Sequence, residues 1–198
     1  MKKKLIILTG PTAVGKTDLS IRLARTVGGE IISADSMQVY RRMDIGTAKI
    51  RPEEMDGVSH HLIDILEPTE SFNAFLFKEY ALKAANEIWE RGSIPIIVGG
   101  TGFYIQTLLY DIEFAKSDEN DGIRDELNKL YEEHGAAFLH DMLAKADPEY
   151  AAEVHENNVK KVIRAIEFYR QTGHKLSEHN TEQRERTSPY NFEYFVLS

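Results

Sequence analysis

Eight residues, GPTAVGKT from Gly10 to Thr17, constrain this chain more than any other stretch. They fit the pattern G-x-x-x-x-G-K-[ST] and stand between a nearly continuous apolar run, KLIILT (Lys4 to Thr9), and a helical pattern that runs to Val27. An apolar run without alternation marks a strand covered on both faces. The glycines let backbone N–H groups curl around an anion, and the helix start adds its partial positive charge. Gly10, Pro11, Thr12, Ala13, Val14, Gly15, Lys16 and Thr17 are therefore read as a phosphate cradle. Lys16 reaches terminal phosphates, and the Thr17 hydroxyl is the candidate ligand for Mg²⁺. The pattern alone suits a nucleotide and any other diphosphate equally.

Downstream, strand and helix patterns alternate. Leu19, Leu23, Ala24 and Val27 form one helical stripe closed by Gly28 and Gly29. A strand follows at Glu30 to Ser33, and HLIDIL (His61 to Leu66) reads as another short one. Asn73 is placed to cap a long helix, with Phe72 and Phe77 as its hydrophobic staple and Gly92 at its end. Ile94 to Val98 is a strand of the buried kind. This alternation predicts an α/β fold, a parallel sheet flanked by helices of the P-loop NTPase-like type. After Asp111 the character changes. A polar, acidic run at Lys116 to Asp121 gives way to helical periodicity alone, with one stripe at Ile123, Leu127, Leu130 and Tyr131 and another at Val159, Val162, Ile163, Ile166 and Tyr169. Residues 1–115 and 186–198 are accordingly expected to form the core, and 116–185 a helical insertion subdomain. FEYFVLS reads as a strand returning to the sheet, so the natural chain is expected to continue past Ser198.

Composition narrows the chemistry. The chain has 198 residues, enough for one well-buried domain with an insertion, and no cysteine, which rules out thiol catalysis, disulfides and thiolate metal sites. No apolar run approaches the roughly 20 residues that span a bilayer, and MKKKLIILTG passes from lysines straight into a strand. A cytoplasmic location without membrane contact is expected. A formal charge of −8 argues, on average, against a polyanionic partner, so nucleic-acid binding would need a local basic patch. His60 and His61 are adjacent on an extended segment and point to opposite faces, which excludes their converging on one ion.

Three further clusters fall at strand ends, the edge where open parallel sheets bind ligands. They are DSMQVY (Asp35 to Tyr40) with GTAK close behind, HHLID (His60 to Asp64), and GGTGFY (Gly99 to Tyr104). By itself Asp35 is as readily a turn residue, a helix cap or a magnesium ligand as an acid–base group. Thr101 reads as a cap for a helix beginning near Phe103 or as a hydroxyl facing a ligand.

With these clusters, GPTAVGKT, the Arg124 region and DPEYAAEVHENNVKKVIRAIE (Asp147 to Glu167), the sequence closely resembles the bacterial tRNA dimethylallyltransferases, also called tRNA isopentenyltransferases. The matches follow that family's order along essentially the whole chain. The resemblance implies transfer of the prenyl group of dimethylallyl diphosphate to the exocyclic amine of the adenosine 3′-adjacent to the anticodon, with Mg²⁺ and release of diphosphate. It implies Asp35 as the base that takes the amine's proton, and Thr101 and Arg124 as further catalytic groups. It also implies tRNA contact through Asp35, Ser36, Met37, Gln38, Thr101, Arg124 and the KKVIR segment (Lys160, Lys161, Val162, Ile163, Arg164). Lys175, Arg184 and Arg186 would extend that patch, and a monomer is expected. Whether ATP enters the loop stays open. The rival readings are an adenylate isopentenyltransferase acting on a free nucleotide, a small-molecule kinase and a nucleotide-gated RNA-binding module without chemistry.

Overall fold

The chain's structure, a computed structural model, describes residues 2–113 and 122–198. The acidic run at Lys116 to Asp121 and the expected boundary at residue 115 lie outside the described residues. Two compact units are present, Met1–Ile112 with Thr187–Ser198, and Glu113–Arg186.

The first unit is built on five strands: β1 (Lys4–Thr9), β2 (Gly29–Ser33), β3 (His60–His61), β4 (Ile94–Gly99) and β5 (Asn191–Val196). Their spatial order is β3-β2-β4-β1-β5 and every pairing is parallel. This is the P-loop NTPase-like α/β architecture. Ile7 pairs with Ile97 and Ile31 with Ile96, so the central strands present unbroken apolar faces, and Ile7, Ile32, Ile96 and Ile97 are fully buried. Helix α1 (Lys16–Val27) packs Ile21 and Ala24 against Ile31 and Ile96, and stops where Gly28 takes a left-handed conformation, φ 66°. Helix α2 (Ala74–Glu90) starts at Asn73, whose side chain accepts the Leu76 N–H at 3.0 Å. Helix α3 (Gly102–Leu109) follows β4 directly. The rings of Phe72 and Phe77 meet across Tyr104, stacked on Phe77 at 4.9 Å and edge-on to Phe72 at 5.7 Å.

One expected strand is much shorter than its apolar run. HLIDIL does not form a strand over His61 to Leu66; pairing with β2 is confined to His60 and His61, and Leu66 makes only a single bridge to Tyr40, because Leu62 and Asp64 have φ of 63° and 54°. Positive φ breaks the pleat, and the Asp64 and Ile65 N–H groups turn to the carbonyls of Gln38 and Val39.

The second unit holds α4 (Ile123–Ala146, interrupted at Gly135), α5 (Pro148–Glu153), α6 (Val159–Thr172) and α7 (Leu176–Glu185). Leu127, Leu139, Leu143, Val162, Ile163 and Ile166 form its core. Its anchor is polar. The fully buried Asp147 accepts the Ser177 hydroxyl at 2.6 Å, the Ser177 N–H at 2.8 Å and the Tyr150 N–H at 3.1 Å, which fixes the starts of α5 and α7. Burial opposes the charge on Asp147, and these donors outweigh it, holding the carboxyl below its ordinary range.

Candidate active site

The sheet order decides which loops meet. Strands β2, β4 and β1 are consecutive neighbours, so the segments leaving their carboxyl ends, DSMQ, GGTG and GPTAVGKT, emerge side by side. Small residues let them close up. A Cβ at Gly99 would lie 2.3 Å from the Ala34 carbonyl oxygen, and one at Gly10 would lie 2.4 Å from that of Leu197. The Thr9 hydroxyl donates to the Gly99 carbonyl at 2.9 Å and the Ala34 N–H to that of Val98 at 2.8 Å, tying the three ends together.

The phosphate loop has the backbone that anion binding needs. Ala13 and Gly15 have φ of 66° and 86°, so N–H groups turn inward ahead of α1. Lys16 folds back over its own loop and donates to the carbonyls of Gly10 at 3.0 Å and Pro11 at 2.6 Å. Those carbonyls hold the ammonium at the mouth of the loop. Thr17 is exposed on the first turn of α1.

Asp35 is half-buried two residues past the end of β2. Its Oδ1 accepts the N–H groups of Met37 at 2.8 Å and Gln38 at 3.3 Å, so it does shape the turn. Its Oδ2 has no hydrogen-bond partner among the described residues. The turn role and a chemical role therefore use different oxygens. Burial raises the pKa of the Tyr104 phenol, and the nearby Tyr40 and Asp35 add to the effect, which puts that ring within electrostatic reach of Asp35. Thr101 stands at the N-terminus of α3, yet its hydroxyl makes no capping bond.

Met37 is 42% exposed and Ser36 half-buried on the Asp35 turn. Gln38 has another occupation. Its Oε1 accepts from the Ser33 hydroxyl at 3.2 Å, and its Nε2 donates to the carbonyls of Thr47 and Ala48, both at 3.3 Å. The amide clamps a loop, and in this arrangement it is not offered to a base edge.

Lys49, in the GTAK motif, was not singled out from the sequence. Its Nζ donates to the Tyr40 carbonyl at 2.7 Å and to the carboxylates of Asp44 at 2.8 Å and Asp64 at 2.6 Å. Beside it lies a largely polar cleft of about 520 Å³ that includes Thr17, Asp18, Asp44, Lys49 and Arg51 in its lining. The two histidines also find separate partners, His60 Nδ1 the Val58 carbonyl at 2.9 Å and His61 Nε2 the Glu30 carboxylate at 2.8 Å. Burial lowers the His60 pKa.

Arg124 and the KKVIR segment belong to the second unit. The Arg124 guanidinium is ion-paired with Glu167 of α6, which is only 7% exposed. Lys160, Lys161 and Arg164 are exposed and have no ion-pair partner among the described residues. Val162 and Ile163 correct the expectation that all five residues meet RNA: they are 0% and 6% exposed in the unit's core, because the apolar stripe of α6 turns inward. Lys175 pairs with Glu178 at 3.0 Å and Arg186 with Glu113 at 3.0 Å, so both are partly neutralised. The Arg184 side chain lies outside the described residues.

Comparison with known proteins is specific. A family model described as IPP transferase matches residues 38–198. The curated tRNA dimethylallyltransferase of Lachnoclostridium phytofermentans is 58% identical over 194 residues, covering 98% of this chain, and that of Bacillus cytotoxicus is 49% identical over 183 residues. Among solved structures, the tRNA delta(2)-isopentenylpyrophosphate transferase of Staphylococcus epidermidis aligns with 47% identity and a TM-score of 0.61 over 98% of this chain. A eukaryotic dimethylallyltransferase acting on tRNA aligns with 34% identity and a TM-score of 0.83. The chain spans 62% and 58% of the length of the two curated relatives, and 63% and 48% of the two solved chains.

Proposed function

This chain belongs to the IPP transferase family, and from that premise we propose that the full protein transfers the dimethylallyl group of dimethylallyl diphosphate to the exocyclic amine of the adenosine 3′-adjacent to the anticodon of a tRNA. The observation that carries the reading is the placement of Asp35 relative to the anion loop. Strands β2 and β1 flank β4, so their ends stand two strand spacings apart, about 10 Å. That gap suits a diphosphate on the loop with a five-carbon chain reaching toward an amine beside Asp35.

In this reading the diphosphate sits on the backbone N–H groups of residues 12–17, and Lys16 exchanges its two loop carbonyls for phosphate oxygens. The C–O bond of the allylic diphosphate breaks as a C–N bond to the amine forms. Negative charge grows on the departing oxygen, where the amides and Lys16 stabilise it. The amine loses its proton to Oδ2 of Asp35 while Oδ1 stays bonded to the turn, so the base is oriented before substrate arrives. Thr101, whose hydroxyl is not spent on a cap, follows the end of β4 by two residues and is assigned to the reaction on the family resemblance. Arg124 is assigned to substrate contact on the family resemblance alone.

The donor set fits Mg²⁺. Thr17 offers a hard oxygen at the helix start, and the described residues hold no cluster of three or more histidine or acidic side chains. An ion there would take its remaining ligands from phosphate oxygens and water, as Mg²⁺ commonly does. Bound, it would neutralise charge on the departing diphosphate. The exposed Lys160, Lys161 and Arg164 are the proposed grip on the anticodon stem-loop, offsetting an acidic average. Among the described residues no helix is long and apolar enough to cross a membrane, and we place the protein in the cytoplasm as a monomer.

The test incubates full-length protein with Mg²⁺, labelled dimethylallyl diphosphate, unmodified tRNA, AMP and ATP. Label in tRNA is expected. Label in AMP would make it a free-nucleotide enzyme, phosphate moving from ATP a kinase, and no transfer a binding module.

A further inference from the structure

We propose that Lys49 is a positioning residue: its buried ammonium assembles residues 40–51 into the wall that faces Thr17 across the polar cleft, without touching substrate. The kinetic part of this proposal rests on the prenyl-transfer reading; the structural part does not.

The Lys49 side chain is 5% exposed, whereas its partners Asp44 and Asp64 are 66% and 48% exposed. An ammonium has three N–H donors. Here each is used, on Tyr40 O, Asp44 Oδ1 and Asp64 Oδ1, at 2.6–2.8 Å. No donor remains for a ligand, which separates Lys49 from Lys16, whose partners are carbonyls of the loop it serves. The three acceptors come from three places in the chain: the end of DSMQVY, the turn before GTAK, and HHLID. One side chain thus closes a loop and joins it to the segment after β3.

The loop needs such a tie. Arg42, Gly46 and Ala48 have φ of 62°, 84° and 49°, and a left-handed backbone is unfavourable for arginine and alanine. Gln38 holds the carbonyls of Thr47 and Ala48 from the other side. Asp44, Gly46, Ala48, Ile50 and Arg51 then line one side of the cleft, and Thr17, Asp18 and Ile21 the other. An exposed ion pair would contribute little here. The burial of Lys49 makes the difference, since removing its charge leaves two carboxylates facing each other with nothing between them. Burial alone would lower the Lys49 pKa, but the bonds to Asp44 and Asp64 outweigh it and raise the pKa, so the ammonium stays charged.

The experiment compares wild-type, Lys49→Met and Lys49→Arg full-length proteins by amide hydrogen exchange and steady-state kinetics. In Lys49→Met, amides 41–50 are expected to exchange at least ~10-fold faster while β1, β2 and β4 keep their protection. KM for dimethylallyl diphosphate should rise about 10-fold with kcat within about 3-fold, and Lys49→Arg, which keeps the charge, should recover most of both changes. Unchanged exchange in residues 41–50 overturns the proposal. So does a fall in kcat at constant KM, which would mean that Lys49 meets the reacting groups. Should Lys49→Met fail to fold, Asp44→Asn removes one of the three acceptors at an exposed position; faster exchange confined to 41–50 supports the proposal, and none overturns it. If the wild-type protein moves no prenyl group, the functional reading fails, while the exchange comparison still decides whether Lys49 holds the wall.

Discussion

Arg124 on α4 and Glu167 on α6 form an ion pair whose acid is nearly buried and whose base is 60% exposed. The arginine is thus the solvent-side cover of a carboxylate that cannot easily be rehydrated. Arg124→Ala should destabilise the second unit by about 1–3 kcal/mol, because Glu167 is left without its partner. Urea unfolding checks this. Adding Glu167→Gln should restore stability, and if Arg124 also contacts substrate, turnover should stay low in the double variant. Recovery of both would reduce Arg124 to a structural role.

Asp35→Asn keeps Oδ1, the atom that accepts the Met37 and Gln38 N–H groups. The turn should survive and the base should not. Prenyl transfer by the full protein is expected to drop about 10²–10⁴-fold, with diphosphate affinity nearly unchanged. Rapid-quench turnover and calorimetric titration with dimethylallyl diphosphate read the two quantities separately, and full activity in the variant removes Asp35 from the chemistry.

Neighbours on α6 should behave oppositely. Lys160→Glu with Lys161→Glu changes exposed charges, so tRNA binding should weaken and its salt dependence flatten while the unfolding midpoint holds. Val162→Ala, at a fully buried position, should cost about 1–3 kcal/mol of stability. Filter binding at several salt concentrations, paired with denaturant titration, distinguishes surface from core.

Asp147 makes the second unit acid-sensitive. Its folded pKa lies below the unfolded value of about 3.9, so the unfolded chain binds the proton more readily. The stabilisation is complete above that value and is lost as pH falls through it toward the folded pKa. Urea midpoints followed by helix signal should hold from neutral pH to about pH 5 and decline below it, and Asp147→Asn should show a lower midpoint at pH 7 with a shallower decline at acid pH.

What was legible in the sequence followed pattern strength. Strand β1, helix α1 and strand β4 combine long apolar runs with glycines at their ends, and their positions follow from those signals alone. Helix α7 carries almost none: in LSEHNTEQRE, Leu176 and Ser177 are the buried residues among those described, too few to make a helical stripe. What holds its start is Asp147, thirty residues earlier. Lys49 was hidden for the same reason. Its motif stood out, but burial of a lysine depends on acceptors 9, 5 and 15 residues away that meet only once β2 and β3 pair. For α6, a helical stripe separates inward from outward residues, and applying it to KKVIR would have withdrawn Val162 and Ile163 from the RNA surface in advance.

Gly99 carries a consequence for anyone redesigning this enzyme class. With the Ala34 carbonyl 2.3 Å from where its first side-chain carbon would be, even alanine would act as a shim between two strand tips. The spacing between anion cradle and carboxylate would then widen as one rigid adjustment. Selectivity for longer or bulkier prenyl donors is better sought at the exposed side chains of Asp44, Ile45 and Ala48, where no strand must be pried from its neighbour.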